Sequence, residues 1–426
     1  MEGSAARYKM HRSIIRHLRQ QPVFVTGWGS ACASGVGAKR LFDATLKGWS
    51  LATRSSFSGD QGDQIGCFLP PDLEAQLSGM RRHDPVASLG LIAARDAIQS
   101  AGLDDDHLPT AGIIAGTSRG PIASWAKGDS DGRAGKRIRP STAANSTLAS
   151  LSGTIALELG MSGPTMTVSA TCASSAHAIA TGAEQILLGN ADIVLVGGAD
   201  LALHPLVVAQ MNAAGVVAGQ GMEPEDPNLA CRPFDRDRSG MILGEGAGFL
   251  VLESAASVAK RGANPLASLL GWALGTGNGG RSAVDPNGTD LLEVSRKALN
   301  VAEVEPGSLG YINAHGTGTR MNDSAEAQTY RSLLGDAADR VAVSSTKPVT
   351  GHCLGGTAVL EAIVAIAVLR EGVAPPTPGL VNRDPATEGL RLIAGRPAPI
   401  NEDPGVVLSN SSGFWSTHAS LVFGRA

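Results

Sequence analysis

The chain is poor in cysteine, in charge and in long apolar runs. Its 426 residues include five cysteines, Cys32, Cys67, Cys172, Cys231 and Cys353. The number is odd and no two have C-x-x-C spacing, so neither a disulfide framework nor a zinc site is expected, and no metal is assigned. A reducing, cytoplasmic setting fits that usage. Charged residues make up 17% of the chain, and the net charge is −4 with both signs dispersed. The lack of a basic stripe argues against nucleic acid as a partner. No apolar stretch reaches transmembrane length, which argues against a membrane span. Residues 1–21 are basic and polar and lack the apolar centre of a signal peptide. They read as an N-terminal arm and receive no function.

What the chain does have is apolar material and glycine: 43% hydrophobic residues and 54 glycines. That length exceeds one ordinary domain and implies two units or one duplicated fold. The glycines sit between apolar runs, where they mark tight turns and close backbone approach rather than disorder. Residues 22–27, P-V-F-V-T-G, read as a first buried strand. A small-residue loop over 31–37 and a helix over 39–46 follow. Residues 84–102 have helical periodicity and a stop at Gly102. Residues 111–116 read as a short strand, 118–140 as an exposed polar excursion and 141–159 as a helix closed by Gly160. Residues 191–198, A-D-I-V-L-V-G-G, have the pattern of a strand buried on both faces. Residues 265–275 read as the strand that opens the second half.

A weak internal repeat links the halves. Residues 167–172 read T-V-S-A-T-C and residues 342–347 read A-V-S-S-T-K. An alanine-rich apolar helix follows each. The pattern implies two copies of one α/β unit, residues 22–264 and 265–426, with their strand-to-helix corners facing one pocket.

Chemistry is expected at those corners. Residues 167–169 read as the end of a buried strand, with Cys172 at the turn and a helix running on through Ile179, Ile186 and Leu187. Free N–H groups at a helix start favour the thiolate, the form that attacks carbonyls. A buried structural thiol is the competing reading of this segment. His315, in N-A-H-G-T-G-T, and His352, in K-P-V-T-G-H-C-L-G-G, lie in glycine-rich turns off any periodic apolar face. They are read as reactive, whereas His177, on the cysteine helix, is read as packing.

These motifs resemble those of the β-ketoacyl-acyl carrier protein synthases, the elongating type II group of the thiolase superfamily. T-C-A-S-S-A-H-A-I resembles the nucleophile segment, the two histidine stretches resemble the family's two histidine motifs, and residues 232–248, R-P-F-D-R-D-R-S-G-M-I-L-G-E-G-A-G, resemble a further block. The resemblance runs in order from residue 22 to residue 423. It implies an α/β fold of the duplicated αβαβα thiolase type. It implies a growing acyl chain held as a thioester on Cys172, with His315 and His352 acting on a malonyl group. It also implies an oxyanion site at the backbone N–H groups of Cys172 and Phe414. Lys347 matches a charge-tuning lysine with Glu361 as its possible partner, and Thr317 and Thr319 match contacts to the phosphopantetheine arm. Asp323 and Glu326 match a structural acidic pair. The implied partners are an acyl carrier protein and a second subunit, identical or ketosynthase-like. No cofactor is implied beyond the carrier's own phosphopantetheine.

Two stretches depart from the family. Where the family has G-F-G-G-T-N, this chain has G-F-W-S-T-H from Gly413 to His418, which restricts backbone swing. Residues 279–288 follow the family's substrate-side loop only loosely. Two other functions stay open at this point: acyl transfer to another acceptor, and a non-catalytic partner of the chain-length-factor type.

Overall fold

The computed structural model describes residues 21–56, 63–218, 226–281, 284–401 and 403–426. All but the last residue of the expected N-terminal arm lies outside them. The first half contributes β1 (Val23–Cys32), α1 (Pro85–Ala101), β2 (Gly112–Gly116), α2 (Ile122–Arg133), α3 (Ser150–Leu159), β3 (Thr165–Val168), α4 (Ser174–Leu187), β4 (Ile193–Leu201) and β5 (Leu243–Ser254). The second half contributes β6 (Ala267–Thr276), α5 (Thr289–Ala302), β7 (Tyr311–Asn313), α6 (Arg320–Leu334), β8 (Ala342–Ser344), α7 (Thr357–Glu371), β9 (Arg391–Leu392), β10 (Val406–Gly413) and β11 (Thr417–Gly424).

The main path of the large sheet runs β9-β8-β7-β10-β11-β6-β1-β5-β4-β2-β3. Its halves repeat one order. Outward from β1 come β5, β4, β2 and β3, and outward from β6 come β11, β10, β7 and β8. In each half the first two neighbours pair antiparallel and the outer strands pair parallel. Antiparallel pairing of β1 with β6 joins the halves. Strand β3, which leads to Cys172, therefore takes the place in its half that β8, which leads to Lys347, takes in the other.

Alternation along the strands builds five layers. Val194 and Val196 of β4, Leu250 and Leu252 of β5, and Leu421 and Phe423 of β11 face a central core with α4 and α7. The intervening Ile193, Leu195, Phe249 and Val251 face α1 and α3, and Leu408 and Val422 face α5 and α6. Helix α7 is buried at every residue from Thr357 to Leu369, so it is apolar on all sides rather than amphipathic. The order is helix, sheet, helix, sheet, helix.

Several local expectations change. Strand β1 continues through Cys32, so the expected loop over 31–37 shrinks to a turn before Gly35–Val36 pairs back on β1. The polar stretch 118–140 holds helix α2, which has no buried residue and hence no apolar periodicity to read. The helix expected over 141–159 is split, with Thr142–Asn145 separate from α3. Strand β3 is the sheet's outer strand with Thr165 and Met166 exposed, not a buried strand.

Candidate active site

Cys172 sits just before α4 and is 8% exposed. The turn carrying it is strained: Thr171 has φ 52°, a left-handed value unusual for a β-branched residue. Thr171 Oγ1 lies 3.1 Å from Thr417 Oγ1 and donates to the Phe414 carbonyl at 3.2 Å, which fixes the turn against the other half. Ser174 Oγ accepts the Ala170 N–H at 2.9 Å and donates to the Thr171 carbonyl at 2.6 Å. A Cβ on Gly116 would meet Ser174 backbone at 2.4 Å, so this helix start can approach β2 only over a glycine.

The thiol is not activated in the resting state as the helix start suggested. Burial pushes it up to about 12, and the charges of Lys347 and Arg119 offset only part of that. The sulfur therefore rests as a thiol, and its proton must leave as the carbonyl is attacked.

His315 follows β7. Its N–H and that of Gly316 donate to Glu326 at 2.8 and 2.6 Å. The N–H groups of Thr317 and Gly318 donate to Asp323 at 3.1 Å, and Phe234 N–H does so at 2.9 Å. Both carboxylates are buried and bind backbone amides of this loop, and Glu326 also accepts the Tyr330 hydroxyl at 2.6 Å. Lys347 Nζ donates to the His315 carbonyl, lies 2.5 Å from Glu361 Oε1 and is 3.2 Å from His315 Nδ1. An ammonium can only donate, so Nδ1 accepts and the His315 proton sits on Nε2. Burial pushes the Glu361 carboxyl up to about 7, with Lys347 pulling it down.

His352 is held by its own backbone: its N–H donates to Ile242 O at 2.8 Å and its carbonyl accepts Gly244 N–H at 3.2 Å. Its Nδ1 lies 2.9 Å from Thr357 Oγ1. The two imidazoles stand edge to face, centroids 5.5 Å apart at 82°. Burial and the Lys347 charge hold both rings well below the ordinary histidine range, so both are neutral near pH 7.

Cys172, His315, His352, Thr317, Thr319 and Phe414 line one cleft of about 590 Å³, a volume that includes its open mouth. Met211, Met241 and Leu354 give it an apolar wall. Thr317 Oγ1 and Thr319 Oγ1 are 2.9 Å apart at its side. The expected residues from both halves thus converge, with Lys347, Glu361, Asp323 and Glu326 behind them. His177 is on α4 and outside the cleft lining.

Sequence reasoning missed Thr171, Asn322, Arg238 and Asp200. Asn322 lines the cleft and donates to Glu326 at 2.8 Å. Arg238 donates to the Thr319 and Arg320 carbonyls at 3.2 and 2.8 Å. Asp200 accepts Thr117 Oγ1–H at 2.8 Å and the N–H groups of Ser118 and Gly355, each at 2.7 Å. That ties the second histidine turn to the first half. Arg238 stood inside a quoted block; the partners of Asp200 are too distant in sequence to be read.

A cysteine on one corner facing two neutral imidazoles from the duplicated unit defines a thiolase-type condensing enzyme, an acyltransferase. The N-terminal domain model of beta-ketoacyl synthase matches residues 20–257 and the C-terminal domain model matches residues 266–381. The chain belongs to the β-ketoacyl synthase family. It is 34% identical to nodulation protein E of Rhizobium leguminosarum bv. trifolii, covering 94% of this chain and 98% of that one. It is 32% identical to 3-oxoacyl-[acyl-carrier-protein] synthase 2 of Mycobacterium bovis, covering 94% and 93%. Among solved structures, the ishigamide ketosynthase/chain length factor superposes with TM-score 0.84 at 29% identity, covering 95% and 99%. A type II polyketide acyl-carrier protein complex with its hexaketide-bound ketosynthase also gives TM-score 0.84, at 25% identity over 95% and 99%.

Proposed function

We propose that the chain condenses an acyl group held on Cys172 with a malonyl group carried by an acyl carrier protein, releasing carbon dioxide. The observation that carries this is the meeting of Cys172, His315 and His352 in one cleft. Transthioesterification loads the acyl chain: the Cys172 sulfur displaces the carrier thiol, which takes up a proton. Malonyl thioester then binds along Thr317 and Thr319. As its carboxylate leaves as carbon dioxide, the electron pair moves onto the thioester oxygen. The neutral His315 offers Nε2–H to that oxygen, and His352 offers its ring N–H beside it. Donors aimed at developing charge in a dry site are each worth a few kcal/mol, about 2.7–4 for one oxyanion donor. The enolate carbon attacks the Cys172 thioester. The tetrahedral oxygen is received by the backbone N–H groups of Cys172 and Phe414, and collapse expels the Cys172 sulfur as a thiolate, which takes up a proton from solvent to restore the resting thiol.

The carrier approaches with phosphate and acidic side chains, and the exposed run Arg133, Lys136, Arg137 and Arg139 suits it. A second ketosynthase-like chain, identical or related, packs along the outer edge of β3, beside exposed Met166 and Leu157. No helix among the described residues is long and apolar enough to cross a membrane, and cytoplasmic carrier proteins are the expected supply. Presence of the thiol and both imidazoles disfavours a non-catalytic partner role.

The test separates loading from decarboxylation. Cys172→Ala loses the acyl adduct by intact-protein mass. His352→Ala keeps the adduct while carbon dioxide release falls by ~10²–10³. Carbon–carbon bond formation by Cys172→Ala defeats the proposal.

A further inference from the structure

The turn after β2 contains a cation that the condensing chemistry does not use. Asp200 fixes its backbone, accepting the N–H groups of Ser118, Arg119 and Gly120 at 2.7, 3.0 and 3.3 Å. With Thr117 Oγ1–H and Gly355 N–H also on Asp200, that carboxylate is already filled by the turn. The Arg119 side chain is not paired with it. Among the described residues no ion pair reaches Arg119, and its Nε is buried with no hydrogen-bond partner. A guanidinium carries only donors, so a buried N–H of this kind is satisfied only by an acceptor brought from outside.

The position of the turn says where that acceptor comes from. Ser174 Oγ lies 3.2 Å from the Thr117 carbonyl oxygen, so the turn lies against the start of the cysteine helix. Ile122, three residues beyond Arg119, packs on the apolar cluster that holds Cys172, Val207, Val208 and Met211. Ile122 also borders a largely apolar groove of about 940 Å³, including its open side, with Trp125, Ile138 and Leu206. The cleft lined by Thr317, Thr319 and the histidines must hold the carrier arm and the malonyl group. The apolar side of that cleft, at Met211, is continuous with this cluster, and it is the route left for the acyl chain on Cys172, toward the Arg119 turn. An alkyl chain would leave the buried Arg119 Nε–H without an acceptor, whereas a chain carrying oxygen supplies one. The Arg119 charge also reaches Cys172, where it pulls the thiol pKa down.

We propose that Arg119 selects the acyl group on Cys172, favouring chains that carry an acceptor oxygen, carbonyl or carboxylate, over plain alkyl chains. This rests on the condensing-enzyme reading of the same site. The test loads the full-length protein with pantetheine thioesters of equal length: a plain acyl, an oxo-acyl and a carboxyl-terminated acyl group. Acylation of Cys172 is followed by intact-protein mass. The wild type should take one or both oxygen-bearing chains at least about tenfold faster than the plain chain. Arg119→Leu should bring the rates together, and Arg119→Lys, which keeps charge and packing, should retain a preference for the carboxylate chain. The Arg119 charge acts on the thiol equally for every substrate, so the ratio of rates, not their absolute value, is the readout. Equal rates in the wild type, or the same ratio in Arg119→Leu, overturns the proposal. No adduct on Cys172 with any of the three defeats the condensing-enzyme reading beneath it, which is a different result.

Discussion

Lys347 directs its three N–H donors inward, toward the His315 carbonyl, His315 Nδ1 and Glu361. Removing it leaves Glu361 buried without a partner and frees the His315 tautomer. Lys347→Met should lower stability by ~3–5 kcal/mol, read by denaturant unfolding, and slow decarboxylation more than Cys172 loading. The histidines set a pH signature. Their pKa values are held down in the folded protein, mainly by burial. The unfolded chain binds protons with the ordinary value of about 6.5. Below that the unfolded state binds more protons, so stability falls as pH drops through about 6.5 toward the depressed folded values. The donors themselves stay neutral across this range. Carbon dioxide release should show no inflection near pH 6.5, and one there would mean that an imidazole titrates normally. At this scale the sequence was legible where chemistry conflicts with packing: His315 and His352 stood in glycine-rich turns with no apolar face to fill. The state of the Cys172 thiol was not, because burial outweighs the helix start. Thr171 was not legible either, since its partners Phe414 and Thr417 lie in the last turn of the chain.

The segment between β10 and β11 is the element that differs most from the family pattern. Trp415 and Ser416 have φ of 65° and 52°, where L side chains cost of order 1–2 kcal/mol each. Neighbouring contacts offset that. Trp415 N–H donates to the Arg281 carbonyl at 2.8 Å, and the Arg281 guanidinium stands 5.6 Å from the indole centroid. Gly277 N–H donates to the Ser416 carbonyl at 2.8 Å, and Ser416 Oγ to that of Gly280 at 3.3 Å. Phe414, which lines the cleft with Cys172, is thereby held by the residues that follow it. Replacing both Trp415 and Ser416 with glycine should speed Cys172 acylation several-fold and hasten hydrolysis of the acyl-enzyme, both followed by quenched-flow mass measurement. Unchanged rates would show that this segment does not limit entry. The altered stretch was visible in the sequence, but its positive φ pair was not, because it follows from the neighbouring strands. Helices with a glycine stop, at Gly102 and Gly160, were legible because left-handed closure needs that residue. Helix α2 was not, since none of its residues is fully buried and Ile122 alone packs on an apolar cluster.

Across the whole molecule, duplication is what brings the site together. The same strand order in both halves places the Cys172 corner opposite the Lys347 corner, and His352 follows the latter. The repeat was legible from two six-residue stretches, and its geometry explains why residues 172 and 352 share a cleft. The exposed course of β3 was not legible, because the β-branched run at its end reads as buried whether or not the strand lies at the edge of the sheet. That edge carries a prediction: Leu157→Glu with Met166→Lys should shift the chain toward monomer in sedimentation equilibrium, leaving far-ultraviolet dichroism unchanged. An unaltered assembly would place the subunit contact elsewhere.

The central claim is that one sulfur holds the acyl chain while the two imidazoles generate the carbon nucleophile beside it. A single-turnover chase measures this directly: acyl-enzyme formed on Cys172, freed of donor, is mixed with malonyl carrier protein and followed by mass. Loss of the acyl mass should match, mole for mole, carbon dioxide released and a carrier-bound chain two carbons longer. An acyl mass that persists on Cys172, or leaves only as free acid while malonyl carrier protein stays intact, would contradict it.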